Sequence, residues 1–418
     1  MLHLATNIIN WSIAVLFVVC FSYQLIYLVA KYIPMKKNSR PVVNHRYAVL
    51  VAARNEEQVI GRLIESIQKQ TYQDGAIDIY VVADNCTDDT AEIAHSKGAY
   101  VYTRQNHVQV GKGYALEYLL DQLKQENLLA QYDAYFIFDA DNILQENYIE
   151  EMNKTFSQGY QVVTSYRNSS NFGTNWITFG YGLWFLHEAQ FLNKGRYHVG
   201  SCCMVSGTGY MIASSVIQQN DGWKFFLLTE DIEFSADCIV KDIKIGYCEK
   251  AEFFDEQPVT FRDSWNQRLR WVKGYYQVFH KYGRQLLGKC VKEHSLSCFD
   301  MLMGYFPAFF LTAIASVLGI VMLFAEVLIK QSAVCTAEAM GIFLFRTFAV
   351  MFVLGIYTLV TEWRHIHVAA WKKIAYVLVF PLYIYTYFPI AIAAFTCKVS
   401  WKPIKHGCIP KSVIERAG

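Results

Sequence analysis

Long apolar runs lie at both ends of this 418-residue chain, and they leave only its middle to fold in water. The first run extends from about Ile9 to Ala30, long enough to cross the roughly 30 Å hydrocarbon core of a bilayer. Three more extend approximately from Tyr305 to Ile329, from Gly341 to Val360 and from Ile374 to Cys397. The sequence therefore predicts about four membrane segments around a water-exposed domain.

The charges beside the first run predict its orientation. No lysine or arginine precedes it, whereas Lys31, Lys36, Lys37 and Arg40 follow it. Positive residues favour the cytoplasmic side, so we expect a multi-pass plasma-membrane protein whose central domain is cytoplasmic. A cleaved signal peptide is the alternative, but it would need a basic leading segment and a small-residue cleavage site.

The last apolar run is expected to be irregular, because it contains Pro381 and Pro389. Three simple spans after the central domain would place the tail outside. The tail nevertheless looks cytoplasmic, since five basic residues follow the run: Lys398, Lys402, Lys405, Lys411 and Arg416. A broken or re-entrant last segment, with its backbone covered by protein, resolves this conflict.

Short β-rich runs alternate with helical stretches from Arg46 to about Tyr166. The predicted strands cover residues 47–52, 77–83, 100–103 and 135–138. Strands that alternate with helices of this length predict βαβ units, a mainly parallel sheet and an α/β fold.

The fourth predicted strand runs directly into Asp139-Ala140-Asp141. Ligands of open α/β sheets bind at the carboxyl ends of the strands, so these carboxylates are expected to face a binding site. Two such hard oxygen ligands can hold Mg²⁺ or Mn²⁺ while substrate phosphates complete the shell. An acidic surface turn is the alternative for an isolated Asp-x-Asp.

Polar residues also follow the earlier strands. The first strand runs into a segment with Glu56, and the second ends at Asp84, which can accept hydrogen bonds from a base or ribose. Thr87 and Asp88 are explained as caps of the next helix. Lys112, between two glycines, can place a cation on phosphate at a helix N-terminus, although the upstream glycine of a P-loop is absent.

Two later motifs complete the candidate set. Thr229-Glu230-Asp231 opens a predicted helix, where acidic residues are also ordinary partners of the helix dipole. Gln267-Arg268-Leu269-Arg270-Trp271 lies in a basic, aromatic helix. Gln267, Arg270 and Trp271 share one helical face, and an amide, a guanidinium and an indole suit a diphosphate and a sugar ring.

Composition excludes other functions. The net charge of +2 is uninformative about nucleic acid, but the sequence has no basic stripe interleaved with exposed aromatics, so no nucleic-acid partner is expected. The eleven cysteines are scattered without CxxC spacing, which favours reduced thiols over a zinc site or a disulfide framework.

The order of the motifs resembles the D, DxD, TED and QxxRW series of membrane-embedded family 2 glycosyltransferases, the group of cellulose, chitin and hyaluronan synthases. The matching residues are Asp84, Asp139 with Asp141, Thr229-Glu230-Asp231 and Gln267 to Trp271. The resemblance covers residues from about 46 to 275 by motif. It implies a GT-A (Rossmann-like) domain inserted between transmembrane helices and a UDP-sugar donor.

The resemblance also implies roles for single residues. Asp84 would contact the uridine, and Asp139 would help to hold the diphosphate. Asp139 and Asp141 would bind a Mg²⁺ or Mn²⁺ ion. Asp231 would be the catalytic base. Gln267, Arg270 and Trp271 would hold the diphosphate and the acceptor sugar. The remaining substrate-binding candidates belong to the same segments: Glu56, Lys112, Glu230 and Arg268. The segment from Trp401 to His406 is placed like a gating loop, although it does not match the best-known gating motif.

The predicted function is a processive, inverting synthase that makes and exports a β-linked polysaccharide from UDP-glucose or UDP-N-acetylglucosamine. The alternative is a transferase that adds one sugar to a lipid-linked acceptor; a third reading is a non-catalytic membrane scaffold. Accessory export proteins are possible partners in the first case. The expected domains are a transmembrane helix (1–31), the cytosolic GT-A domain (40–260), amphipathic interface helices (261–300), a transmembrane region (301–397) and a basic tail or gating loop (398–418).

Overall fold

The structure, a computed structural model, describes residues 2–34, 40–72, 76–304, 306–330, 334–399, 403–404 and 406–407. These residues form two compact units. The helical unit comprises the described residues up to Ile26, Phe172–Leu183 and Val259–Val399. The sheet unit comprises Tyr27–Asn171, Trp184–Pro258 and the described residues after 402. Trp401, Lys402 and Lys405 of the predicted gating segment lie outside the described residues, as do residues 408–418.

The helices are numbered along the chain. Those in the described residues are α1 Leu2–Phe21, α2 Gln24–Ala30, α3 Ile60–Gln68, α4 Thr90–Ser96, α5 Lys112–Gln125, α6 Tyr148–Phe156, α7 Trp176–His187, α8 Lys194–His198, α9 Ser214–Gln219, α10 Glu230–Val240, α11 Phe261–Glu293, α12 Leu296–Gly304, α13 Phe306–Lys330, α14 Val334–Thr361, α15 Ala370–Tyr385 and α16 Tyr387–Thr396. A 3-10 turn covers Leu129–Gln131, and a π-helical stretch covers Glu188–Asn193.

One sheet organises the sheet unit. Its strands are β1 Tyr47–Ala53, β2 Ile77–Asp84, β3 Tyr100–Arg104, β4 Ala134–Asp139, β5 Ile143–Leu144, β6 Val162–Ser169, β7 Tyr210–Ala213 and β8 Ile245–Asp255. They lie in the order β3-β2-β1-β4-β7-β6-β8-β5. The first four strands are mutually parallel, β7 is antiparallel to β4 and β6, and β8 is parallel to β6. The predicted α/β fold is confirmed.

The core of this unit follows from the two-residue period of its strands. Alternate residues of β1, beginning with Tyr47 and Val49, pack in one buried cluster with Ile64 of α3 and Met152 of α6. The intervening residue Leu50 is also fully buried, so the strand is covered on both faces. Each fully buried aliphatic side chain contributes about 1.5–3 kcal/mol to folding.

The helical unit carries the apolar helices. Four stretches of the described residues are long and apolar enough to cross a membrane: Trp11–Ala30, Leu296–Ile329, Thr336–Thr361 and Ala370–Thr396. The last of these is broken as the sequence predicts, because α15 ends at Tyr385 and α16 begins at Tyr387. Pro381 lies inside α15, and Pro389 lies in the first turn of α16, where proline is tolerated. Its return to the starting side stays a prediction.

Candidate active site

The polar strand ends meet along one edge of the sheet. Strands β1, β2 and β4 are parallel and in register, so the segment after Ala53 lies at the same edge as Asp84 and Asp139. Strand β6 is antiparallel to β7, which is antiparallel to β4, so β6 and its parallel neighbour β8 also end at this edge. Asp255 at the end of β8 therefore joins the same edge.

Asp139 is held by a lysine and a glycine-rich turn. Its Oδ1 forms an ion pair with Lys112 Nζ, which also donates to the Gly207 carbonyl at 2.7 Å. The Asp139 amide donates to Thr208 Oγ1 at 2.8 Å. The Asp139 side chain is 41% exposed while that of Lys112 is 13% exposed, so the carboxylate remains accessible to a ligand.

Lys112 owes its position to the glycine beside it. A Cβ added to Gly113 would lie 2.1 Å from the carbonyl oxygen of Phe225, far inside van der Waals contact. Only glycine therefore allows the first turn of α5 to approach the segment before α10. Because α5 begins at Lys112, this approach places the Lys112 ammonium group beside the Asp139 carboxylate.

Asp141 is buried and is bound by the chain's own donors. Its Oδ2 accepts from the Glu256 amide at 3.0 Å, and its Oδ1 accepts from Asn142 Nδ2 at 3.2 Å. Burial raises the pKa of Asp141 to about 7; His406 opposes this increase, and the carboxylates of Asp255, Asp139 and Glu56 add to it. The edge thus concentrates negative charge.

His406 from the C-terminal stretch lies against this acidic cluster. Its Nδ1 is 2.9 Å from Glu56 Oε2, and its Nε2 is 3.9 Å from Asp141 Oδ2. The next amide, of Gly407, donates to Glu256 Oε2 at 2.9 Å. Burial alone would lower the pKa of His406, but Asp141 and Glu56 outweigh it and raise that pKa to about 10. Burial also raises the pKa of Glu56, and the hydrogen bond and charge of His406 offset part of this increase.

Asp84 forms a buried ion pair at the end of β2. Arg104 Nη1 donates to Asp84 Oδ1 at 2.6 Å, and both side chains are only 7% exposed. The two residues face each other in the register of β2 and β3. Arg104 also donates to the Gln109 carbonyl at 3.0 Å, which ties the loop before α5 to the strand end.

Glu230 and Asp231 occupy the first turn of α10. Glu230 is buried, whereas Asp231 is partly exposed. A Cβ added to Gly207 would lie 3.9 Å from Asp231 Oδ2, so this carboxylate borders the same turn whose carbonyl binds Lys112. Burial raises the pKa of Tyr210 well above its ordinary value, and the negative charges of Glu230, Asp231 and Asp139 add to that increase.

The five residues of the Gln267 to Trp271 motif lie on α11 in the helical unit. Gln267, Arg270 and Trp271 are partly buried, and Trp271 packs edge-on against Tyr181 with ring centroids 5.7 Å apart. Arg268 is different, because it is fully buried. It donates to the carbonyl of Tyr383 at 3.2 Å and to Thr386 Oγ1, and its guanidinium lies 4.6 Å from the Tyr383 ring centroid.

The sheet unit thus brings together Glu56, Lys112, Asp139, Asp141 and Asp231. It adds residues that sequence reasoning missed. Arg167 donates through Nε to Asp255 Oδ2 at 2.9 Å and through Nη1 to the Ser206 carbonyl at 2.8 Å. Glu256 contacts both Asp141 and Gly407. Asp255 is the last residue of β8 and Glu256 follows it, and this polar end of an otherwise apolar stretch is the signal that could have revealed them.

The donor chemistry of the edge fits a divalent cation. Asp139 and Asp141 offer hard carboxylate oxygens. With Glu56, Asp255 and Glu256 they outnumber the neighbouring cations of the described chain, Lys112, Arg167 and His406. Among the described residues, no three His, Cys, Asp or Glu side chains converge as a complete metal site. Protein carboxylates that leave coordination positions for substrate phosphates are typical of Mg²⁺ sites.

Comparison with solved structures identifies the fold. A mannosyltransferase from Pyrobaculum calidifontis, solved in complex with GDP-Man and Mn²⁺, superposes with a TM-score of 0.55. The alignment covers 93% of this chain and 99% of that chain at 14% sequence identity. The sheet unit therefore has the GT-A fold of glycosyltransferases, with apolar helices flanking it in the sequence.

The family is defined by the sequence as well. The family described as "Glycosyltransferase like family 2" matches residues 45–274, more than half of the chain, and the chain belongs to that family. The resemblance inferred from the four motifs is confirmed.

Curated relatives include a glycolipid synthase and a polysaccharide synthase. The chain is 26% identical over 242 residues to a beta-monoglucosyldiacylglycerol synthase of Synechocystis, which covers 56% of this chain and 49% of that protein. It is 25% identical over 242 residues to a poly-beta-1,6-N-acetyl-D-glucosamine synthase of Staphylococcus epidermidis, which covers 55% of this chain and 54% of that protein. The chain thus spans about half the length of these relatives.

Proposed function

We propose that this protein is an inverting glycosyltransferase that transfers a sugar from a UDP-sugar donor to a hydroxyl group at the membrane. The observation that carries the proposal is the position of Asp231, whose carboxylate borders the Gly207 turn that also holds Lys112 and Asp139. This arrangement supports a base beside a diphosphate-binding edge. Family membership and the GT-A fold support the same chemistry.

The donor diphosphate is assigned to the acidic edge with its cation. A Mg²⁺ or Mn²⁺ ion held by Asp139 and Asp141 would offset the charge of the UDP leaving group. Lys112 would bind a phosphate oxygen, because its ammonium group lies at the edge and has three N–H donors, of which Asp139 and the Gly207 carbonyl take two. Asp84, fixed by Arg104, remains the candidate for the uridine.

Asp231 would act as the general base. It removes the proton from the acceptor hydroxyl as that oxygen attacks the anomeric carbon, and the bond from that carbon to the diphosphate breaks. A single displacement of this kind inverts the anomeric centre, so an α-linked donor gives a β-linkage. Glu230, buried in the same helical turn, would position Asp231.

The helical unit supplies the remaining proposed roles. Gln267 and Arg270 are assigned to the donor diphosphate, and Trp271 to a sugar ring of the acceptor, because a partly exposed indole offers a flat apolar surface. We remove Arg268 from the substrate-binding set, since its buried guanidinium binds the chain's own carbonyl and hydroxyl groups.

The acceptor we propose is a growing β-linked glycan, which a processive enzyme would extend with glucose or N-acetylglucosamine and export through its membrane helices. The poly-N-acetylglucosamine synthase relative supports this class of product. The second candidate is a single transfer to a lipid acceptor, which the glucosyldiacylglycerol synthase relative favours. Either acceptor suits a multi-pass protein whose sheet unit lies in the cytoplasm, as the basic residues after the first span indicate.

The test is UDP release by the purified protein in detergent with Mg²⁺ or Mn²⁺, across a panel of UDP-sugars, followed by sizing of the product. Release together with a polymer that a linkage-specific hydrolase digests would support the processive synthase. Release with only a glycolipid would support the second candidate. No release with any UDP-sugar, in the presence of both acceptor classes, would contradict the proposal.

A further inference from the structure

A groove of about 440 Å³ lies in the helical unit, and none of its lining residues is assigned to catalysis or substrate binding. Its walls come from three helices: Tyr276, Phe279, His280, Gly283, Arg284 and Leu287 of α11, Phe310 of α13 and Phe395 of α16. Its size falls in the range of small-ligand sites, which is roughly 300–1,000 Å³.

The groove arises from two neighbouring rows of side chains on α11. Residues four apart share a helical face, so Tyr276, His280 and Arg284 form a polar row beside Phe279, Gly283 and Leu287. Gly283 leaves a gap in the apolar row. A Cβ added there would lie 3.3 Å from the Phe279 ring, so any larger side chain would occupy the groove.

The groove lies beside the ends of two apolar helices, α13 and α16, which belong to the candidate spans Leu296–Ile329 and Ala370–Thr396. Phe310 is in the second turn of α13, and Phe395 is in the last turn of α16. Helix α11 is fixed against these ends, because Tyr276 stacks on Phe395 with centroids 4.3 Å apart and Lys273 Nζ donates to the Ala394 carbonyl at 2.8 Å. Phe395 is also in the last turn of the span Ala370–Thr396, and the end of a span lies where lipid headgroups meet the hydrocarbon.

The ionisable side chains that can carry a positive charge in the groove, those of Arg284 and His280, are not balanced by any acidic residue of its lining. No acidic residue lines the groove, and Arg284 and His280 are exposed on its polar row. Neither forms a hydrogen bond or ion pair among the contacts of the described residues. The helix is basic as a whole, since Phe261–Glu293 contains eight lysines and arginines and two acidic residues.

We propose that this groove binds one phospholipid with an anionic headgroup, its phosphate on Arg284 and its acyl chain against Phe279, Leu287, Phe310 and Phe395. Arginine binds phosphate through its planar fork, and His280 adds a donor one turn away. The apolar wall continues into α13 and α16, so the chain of a bound lipid would pass from the groove into the bilayer. This site is independent of the proposed transfer reaction.

The test is native mass spectrometry of the full chain in mild detergent, titrated separately with phosphatidylglycerol and with phosphatidylcholine of identical acyl chains. We expect one phosphatidylglycerol to be retained in preference to phosphatidylcholine. Arg284→Gln should weaken phosphatidylglycerol at least about fivefold, as expected for one basic residue at an anionic surface. Gly283→Leu should weaken both lipids, because it fills the groove.

Lys292→Gln is the matched control, since Lys292 is an exposed cation on the same helix outside the groove. It should leave both affinities unchanged. Equal retention of the two lipids, or an equal loss in Lys292→Gln and Arg284→Gln, would overturn the proposal. So would displacement of the lipid by a soluble oligosaccharide. Arg284 and Lys292 are both exposed, so we expect both glutamine variants to fold. The comparison of these two variants therefore remains decisive even if Gly283→Leu does not fold.

Discussion

At the scale of single residues, neighbours in one motif have different roles. Residues 267, 270 and 271 recur at helical spacing, whereas Arg268 projects from another side of α11. Its guanidinium is enclosed by the rings of Tyr181, Tyr383 and Tyr387 and binds the end of α15. The motif letters alone suggested a substrate ligand, but helical geometry already separates this arginine from the others.

Arg268→Lys should therefore destabilise the protein. The lysine ammonium cannot reproduce the planar, forked hydrogen-bonding geometry of the guanidinium. A buried charged group that loses hydrogen bonds lowers the free energy of unfolding by about 2 kcal/mol or more. The apparent melting temperature in detergent should fall by several degrees. UDP affinity of the folded variant should remain that of the wild type.

Arg262→Lys is the control, because Arg262 is exposed near the start of the same helix. It should leave the melting temperature unchanged. A variant of Arg268 with normal stability and weakened UDP binding would return this residue to the substrate-binding set.

At the scale of elements, strand ends were predictable where a continuous apolar run stops at a polar group. Strands β2 and β4 fit this description, so Asp84 and Asp139 were found from the sequence. Strand β8 does not, because Glu249 and Lys250 interrupt it where its register with β6 shifts after Ser165. That interruption hid Asp255 and Glu256.

The antiparallel strand β7 also escaped prediction as a partner of β4. Its four residues, Tyr210–Ala213, pair with a strand about seventy residues earlier, and no local pattern encodes such a partner. Gly207 has φ +81° and provides the carbonyl that binds Lys112.

The approach of α5 to the segment before α10 gives a test at this scale. Gly113→Ala places a Cβ 2.1 Å from the Phe225 carbonyl oxygen, so the helix must shift and carry Lys112 with it. We expect a loss of about 1–3 kcal/mol in stability, typical of overpacking, together with weaker UDP binding. Thermal unfolding and a UDP titration measure the two effects.

The matched variant is Gly61→Ala in α3, where the added Cβ would lie 3.5 Å from Ile93 in ordinary contact. Alanine favours a helix over glycine by up to about 1 kcal/mol, so this variant should be neutral or slightly stabilised. If Gly113→Ala behaves in the same way, the close approach is not a constraint.

At the scale of the whole molecule, buried ionisable groups make stability depend on pH. His187 lies between the rings of Trp184 and Phe191 in the sheet unit. Burial, with Lys31 and Arg196 nearby, lowers its pKa to about 3. In the unfolded chain His187 binds a proton near pH 6.5, whereas in the folded chain it stays neutral down to about pH 3. The contribution of neutral His187 to the free energy of unfolding is therefore complete above pH 6.5 and declines as pH falls towards 3.

His187→Gln should therefore flatten the decrease in melting temperature between pH 7 and pH 5, relative to the wild type. The variant is expected to be less stable at pH 7, where the packing of the imidazole is lost. His95→Gln changes an exposed histidine and should keep the wild-type slope. An unchanged slope in His187→Gln would show that this histidine titrates normally.

The whole-molecule division into apolar helices and an α/β domain was the most predictable property, because hydrophobic run length and strand-helix alternation are local. The broken last span followed from its two prolines. The clustering of Glu56, Asp141 and His406 was not predictable, since it joins segments separated by as many as 350 residues.

The central claim is that Asp231 is the base for sugar transfer, and product formation by Asp231→Asn tests it most directly. Asparagine keeps the shape but cannot accept the proton, so transfer should fall at least about 10³-fold while UDP affinity stays within about twofold. Asp242→Asn, the same change at an exposed turn after α10, should retain full activity. Wild-type transfer by Asp231→Asn, or a loss of UDP binding equal to the loss of transfer, would contradict the assignment.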